Sequence, residues 1–294
     1  MKYVLKMTCA AAAMTLASAG AQAANINVLW TAGNTAYNDN VIELAGEAPT
    51  FDPLGDGTNT WNLTLWDPAD ATPDFTAYDA LVVGSTSRGG SFFGLGVSAA
   101  GVLANKAGIE AARGNRTFIS GQDADWHDSR NRQDQDDGPK GFLINAVNWA
   151  ASGTGLGIVS MTDGTGTGGW WTHPDSFLRD ELLGFNQYFG DQSVFLGSGQ
   201  ESFPINEGLT SAGLSNWDTS SHAGFVGPVP GYASINFEGP NSTGRAITIV
   251  TKGQEDGGTQ GGGDDNDDPT PVPAPGGLLL FALGLLGLRR LMRK

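Results

Sequence analysis

Cysteine is nearly absent from this chain. Its single copy, Cys9, falls in a stretch that reads as a removable leader, so the body has no disulfide, no thiol nucleophile and no thiolate metal ligand. Basic residues are also scarce: 16 Lys and Arg stand against 31 Asp and Glu, for a formal net charge of −15. A surface of that sign lacks the basic patches that phosphate backbones need, which argues against nucleic acid as a partner. Histidine is limited to three copies, at His127, His173 and His222. No uninterrupted apolar run reaches the ~18 residues expected of an independent membrane helix. No internal repeat of fixed period is visible, which sets aside solenoids and propellers.

What is present divides into a body and two addresses. Lys2 and Lys6 form a basic start, an apolar stretch follows to Ala19, and Ala21-Gln22-Ala23 fits the small-x-small cleavage pattern. Residues 1–24 are expected to be a signal peptide, the alternative being an uncleaved anchor. Residues 253–271 form an acidic Gly/Asp/Pro linker with no apolar side chain to bury. Its Asp264–Asp268 cluster lacks the alternating ligands and glycine of an EF-hand loop, so it reads as a solvated spacer.

After the linker come Val272-Pro273-Ala274-Pro275, a short apolar run from Gly276 to Leu288, and then Arg289, Arg290, Arg293 and Lys294. The run is expected to form a short hydrophobic helix and membrane segment. The basic end favours the cytoplasmic side, which leaves the body outside. The order Pro-x-Pro, apolar segment, Arg cluster over residues 271–294 resembles the PEP-CTERM sorting signal of exopolysaccharide-producing Gram-negative bacteria. Ala274 stands where that family usually has Glu, a departure that bears on processing. The resemblance implies export, an inner-membrane-anchored precursor, recognition by an exosortase-type protease, and delivery to the cell surface or extracellular matrix. The alternative is an ordinary tail anchor. Removing both ends takes away six basic residues and no acidic ones, leaving 10 basic against 31 acidic residues, a net charge of −21. That charge suits solubility outside the cell.

Residues 25–252 alternate strand and helix patterns. Ile26–Trp30, Trp61–Trp66, Ala80–Val83, Arg116–Ser120 and Leu156–Met161 read as strands, and the continuous apolar run at Ala80–Val83 fits a strand buried on both faces. Helices are expected over Tyr37–Ala45, over Ala99–Arg113 with Ser98 as N-cap and Gly114-Asn115 as the stop, over Gly141–Ser152 after Pro139, and over Asp175–Leu183. Tyr232–Phe237 and Arg245–Thr251 read as a late β-hairpin closed by Glu238–Gly244. The alternation predicts an α/β fold with a doubly wound, mostly parallel sheet.

Asn27-Val28-Leu29-Trp30, Tyr78–Gly84, Gly114–Gly121 and the turn Phe203–Leu209 together resemble class I glutamine amidotransferase-like and ThuA-like proteins, which implies a flavodoxin-like body. In catalytic amidotransferases the turn after the strand matching Arg116–Ser120 carries a nucleophilic cysteine. Here that turn reads Ser120-Gly121-Gln122-Asp123. The His-x-Glu pair near the family's domain end has no counterpart either, since Ser234–Glu238 contains no histidine. The resemblance therefore implies the fold and argues against glutamine hydrolysis.

Doubly wound sheets bind ligands beyond the carboxyl ends of their strands. That rule gathers the loops at 31–38, 85–91, 121–128 and 162–173. The most polar contains Gln122, Asp123, Asp125, Trp126, His127 and Asp128. Asp123, Asp125 and His127 are candidate ligands for a divalent metal, because carboxylates suit hard cations and imidazole widens the choice. The rival reading is a loop whose carboxylates cap backbone amides. Gln122, Trp126, Trp170, Trp171, His173 and His222 are candidate ligand contacts, with the tryptophans offering faces for sugar stacking or, equally, core filling. No Gly-x-Ser-x-Gly elbow accompanies the Ser-His-Asp content of 218–222. The glycine run at 164–169 lacks the Gly-Lys-Ser/Thr ending of a phosphate loop.

Two functional expectations follow. The first is an exported, surface-sorted binding or matrix module without catalysis and without a resident cofactor, in contact with exopolysaccharide. The second is a ThuA-like carbohydrate-active or metal-dependent hydrolase.

Overall fold

The computed structural model describes residues 24–53, 58–67, 70–85, 97–129, 136–162, 170–189, 193–215, 217 and 222–252. The chain divides into Met1–Gly258 and Thr259–Lys294, and every described residue belongs to the first unit. The segments expected as signal peptide, linker, short hydrophobic helix and sorting tail, with Pro273, Pro275, Arg289 and Arg290, lie outside the described residues. No helix among the described residues is long and apolar enough to cross a membrane.

The body is α/β with a mostly parallel central sheet. Its elements run β1 (Asn25–Thr31), α1 (Thr35–Glu47), β2 (Thr60–Trp66), β3 (Ala80–Val83), α2 (Val97–Ala104), α3 (Lys106–Ala112), β4 (Arg113–Ser120), α4 (Ala124–Ser129), α5 (Pro139–Ala151) and β5 (Leu156–Met161). Then follow α6 (Arg179–Leu182), β6 (Asn186–Phe189), β7 (Phe195–Leu196), β8 (His222–Phe225), β9 (Tyr232–Gly239) and β10 (Thr243–Thr251). The sheet order is β2-β1-β3-β5-β4-β10-β8-β6, with β9 paired to β10 and β7 to β9. The first five strands pair in parallel, from Asn25↔Thr60 at one side to Ser120↔Met161 at the other, and all later pairings are antiparallel. The flavodoxin order is 2-1-3-4-5. Here β5 lies between β3 and β4, so the last two parallel strands are exchanged.

Alternation along the strands builds two cores. Val28, Trp30, Val82, Phe118 and Val159 share one cluster with Tyr37, Val41 and Leu44 of α1 and with Phe142, Leu143, Ala146 and Val147 of α5. Leu29, Leu81, Val83, Ile119 and Ile158 share the other with Ala99 and Val102 of α2, Ile109 of α3 and Leu182 of α6. Both faces are therefore covered, which is why β3 and β5 are buried at every position.

Three expected elements differ. The helix expected over Ala99–Arg113 is two helices broken at Asn105, whose side-chain amide donates to the Gly101 carbonyl (2.8 Å) in competition with the backbone. Ser98 lies inside α2 rather than before it. Gly114-Asn115 is strand, not a helix stop, because Gly114 passes against Thr154, where a Cβ would overlap the Thr154 carbonyl. The helix expected over Asp175–Leu183 shrinks to α6, since its first residues turn on themselves: the Asp175 amide donates to His173 Nδ1 (3.2 Å) and the Leu178 amide to Ser176 Oγ (3.1 Å). The hairpin forms, with a tighter turn than expected: Asn241 and Ser242 have φ of 56° and 58°, and the Thr243 amide closes on the Pro240 carbonyl at 3.1 Å. Positive φ at both central residues matches a type I′ turn.

Candidate functional site

The switch point of the sheet lies between β1 and β3, because the chain winds toward β2 on one side and toward β3 on the other. Ligands of open α/β sheets enter at this crevice, beyond the strand ends. Here side chains of the protein fill it. β1 delivers Trp30 and Thr31, β3 leads to Gly84 and Ser85, and Tyr37 comes from the first turn of α1. That turn is fixed by Asn34, which accepts from the Tyr37 amide as N-cap (3.0 Å).

Asp125, reached after β4, completes the arrangement. The Trp30 indole donates to the Tyr37 hydroxyl (2.8 Å), which donates to Asp125 Oδ2 (2.8 Å). The Ser85 amide donates to the same oxygen (2.9 Å), and Ser85 Oγ donates to Asp125 Oδ1 (2.5 Å). The Gly84 amide donates to Thr31 Oγ1 (3.2 Å). Trp30, Thr31, Tyr37 and Asp125 are all buried. A Cβ on Gly84 would overlap both the Tyr37 hydroxyl and Asp125 Oδ2, so the network is packed against bare backbone. Burial first, and then the Asp125 charge, push the Tyr37 phenol well above its ordinary range and keep it a neutral donor.

Asp125 is thus committed to structure, and it is separated in role from the other metal candidates. The segment expected as a loop is the short helix α4, and Asp123 stands just before it, with the Trp126 and His127 amides returning to its carbonyl (2.9 and 3.2 Å). One turn then brings His127 Nε2 to 3.3 Å from Asp123 Oδ1, with both side chains buried. The His127 ring packs against Trp217 at 5.7 Å. Gln122 is fully buried, and its amide nitrogen donates to the Leu214 carbonyl (2.9 Å). Gln122 Oε1, Asp123 Oδ1 and His127 Nε2 have no hydrogen-bond partner among the described residues. Among those residues, no three His, Cys, Asp or Glu side chains gather as a metal-holding group.

The remaining candidates scatter. Trp171 stacks on Phe225 at 5.8 Å and donates to Ser160 Oγ at 2.7 Å, fully buried. Trp170 is buried against Phe177 at 5.9 Å. Neither indole offers an open face for a sugar, because both complete the core on the α2–α3 side of the sheet. Trp126 is half-buried. His173 lies in a turn beside Asp175, 3.7 Å from its carboxylate. His222 opens β8, whose next residue donates its amide to the Gly121 carbonyl (3.1 Å), so the backbone of β8 borders the turn after β4. There a Cβ on Gly121 would overlap the Ala223 carbonyl.

Sequence reasoning did not single out Tyr37 or Ser85. The available signal was positional: each lies at or just beyond the carboxyl end of a strand flanking the switch point. No protein-family model, curated protein or solved structure matches this chain.

Proposed function

We propose that this is an exported, surface-sorted protein whose α/β body, of amidotransferase-like build, acts as a non-catalytic binding or matrix module in contact with exopolysaccharide. The sorting half rests on the Pro273-Ala274-Pro275, apolar and Arg289-Arg290 order of the tail. The non-catalytic half is carried by one observation: the switch-point crevice is occupied by Tyr37, Asp125 and Ser85, bonded to one another. A substrate entering there would have to displace a buried, fully engaged carboxylate, at a cost of several kcal/mol. The turn after β4 also has no cysteine to act as nucleophile.

The test is expression in an exosortase-bearing Gram-negative host, with fractionation and intact mass of the product. The expected product begins at Ala24 or Asn25, lacks the residues after the Pro273–Pro275 region, and sediments with the extracellular matrix. A product that keeps Arg289–Lys294 and stays in the inner membrane refutes sorting. Turnover on a polysaccharide or ester panel by the purified protein refutes the non-catalytic assignment.

A further inference from the structure

We propose that Asp123 and His127 form a buried chelate for a divalent transition-metal cation, with Gln122 as the adjoining oxygen donor. This inference does not depend on the sorting or binding reading. Three observations carry it. First, Asp123 Oδ1 and His127 Nε2 lie 3.3 Å apart, one helical turn apart in sequence. Ligand bonds of roughly 2.0–2.1 Å to one tetrahedral cation place neighbouring donors about 3.3 Å from each other.

Second, these two atoms and Gln122 Oε1 are buried without a hydrogen-bond partner among the described residues, while Gln122, Asp123 and His127 are 0%, 4% and 3% exposed. Buried polar atoms are ordinarily satisfied, and a cation between Asp123 Oδ1 and His127 Nε2 would satisfy both, with Gln122 Oε1 on the adjacent residue as the proposed further donor. Third, Gln122 and His127 end against the same short wall. The Gln122 amide nitrogen is held by the Leu214 carbonyl, and His127 packs on Trp217, whose indole donates to the Gly213 carbonyl (2.6 Å). The Gln122 amide nitrogen is thereby used, leaving Oε1 as the free end. The mixed nitrogen and oxygen donor set favours Zn²⁺, Mn²⁺ or Co²⁺ over Ca²⁺. Asp125, bonded to Tyr37 and Ser85, is not a ligand.

The test is elemental analysis of the full-length protein purified without chelator, followed by Zn²⁺ and Co²⁺ titration of the chelator-stripped form. About one equivalent of metal is expected, with loss of metal lowering the melting temperature. D123N and H127Q should each weaken Zn²⁺ binding by about 100-fold or more, and Asp125→Asn should leave it within a few-fold. Co²⁺ should give the visible absorption of a low-symmetry site, and that band should vanish in H127Q. A folded wild-type protein that takes up no Zn²⁺ or Co²⁺, with a buried water at the site in a crystal structure, overturns the proposal. Undiminished metal in the doubly substituted D123N/H127Q protein overturns it as well, and needs no comparison of stabilities.

Discussion

Replacing Tyr37 with Phe tests whether the switch-point network holds the body together. The substitution keeps the ring, which packs in the core with Val41 and Leu44, and deletes only the hydroxyl. Two bonds are lost: the one accepted from Trp30 and the one donated to Asp125. Trp30 is fully buried, so its indole N–H is left without a partner, at roughly 1–3 kcal/mol. The bond to the Asp125 carboxylate is worth about 1.5–3 kcal/mol, but Asp125 keeps both donors from Ser85, which favours the lower figure. The expected loss is about 3 kcal/mol, read from urea unfolding as a lower midpoint at unchanged slope. For a body of this size the melting temperature should fall by roughly 6–12 °C. A double-mutant cycle with Asp125→Asn should show a coupling of at least about 1 kcal/mol. A loss below about 1 kcal/mol, or additivity of the two substitutions, would refute the view that the crevice is closed by an energetically coupled network.

Gly84→Ala should cost about 2 kcal/mol by forcing a methyl into the Tyr37–Asp125 contact, and urea unfolding should find it less than additive with Tyr37→Phe. Raising the pH should weaken the fold through the same residue. Its pKa is higher folded than unfolded, so its contribution is complete below about pH 10, the unfolded value, and is lost as pH climbs above it; urea midpoints at pH 9, 10 and 11 should decline, and less so in Tyr37→Phe. Glu181→Gln should cost about 1.5 kcal/mol, because Glu181 binds Arg113 through both oxygens (2.6 and 2.9 Å) and accepts from Tyr232, tying α6 to β4 and β9 while about a third exposed. Arg113→Lys should show a similar loss of melting temperature, since a lysine cannot make the paired contact.

The parallel half of the fold was legible because its signals are local. Apolar runs such as Ala80–Val83 and Leu156–Met161 declare strands buried on both faces, and both strands end where the sequence pattern ends. The antiparallel strands β6, β7 and β8 were not expected. They are two to four residues long and carry no run of alternation, and what makes them strands is a partner far along the chain. The exchanged positions of β4 and β5 are invisible for the same reason. At the candidate site the residue types were readable and their fates were not. Asp123 and Asp125 sit two positions apart, in one polar stretch. A helical turn carries Asp123 to His127, whereas Asp125 meets Tyr37 and Ser85 across 88 and 40 residues of sequence separation. Nothing within residues 122–128 distinguishes a carboxylate that closes a crevice from one that faces an imidazole.

On the proposed binding reading, the placement of the tryptophans narrows what the body would recognise. Of eight tryptophans, seven are buried: Trp30, Trp61, Trp66, Trp149, Trp170, Trp171 and Trp217. Trp126 alone is half-buried, so a glycan stacked on an indole has one place among the described residues to do so. The charge restricts the partner further. With 16 basic against 31 acidic residues in the chain, and 10 against 31 if both ends are removed as proposed, the net negative charge opposes a polyanionic polysaccharide over roughly a Debye length, about 8 Å at physiological salt. If the proposed exopolysaccharide contact holds, two partner classes fit these constraints: neutral glycans held by hydrogen bonds around Trp126, and anionic glycans bridged to surface carboxylates by divalent cations. They separate by ion dependence rather than by affinity, since chelation leaves the first untouched and abolishes the second. A cation held between Asp123 and His127 would be buried with those side chains, out of contact with a surface polymer. H127Q would therefore leave any surface bridging intact, so that the proposed structural cation and bridging cations would be distinguishable in one protein.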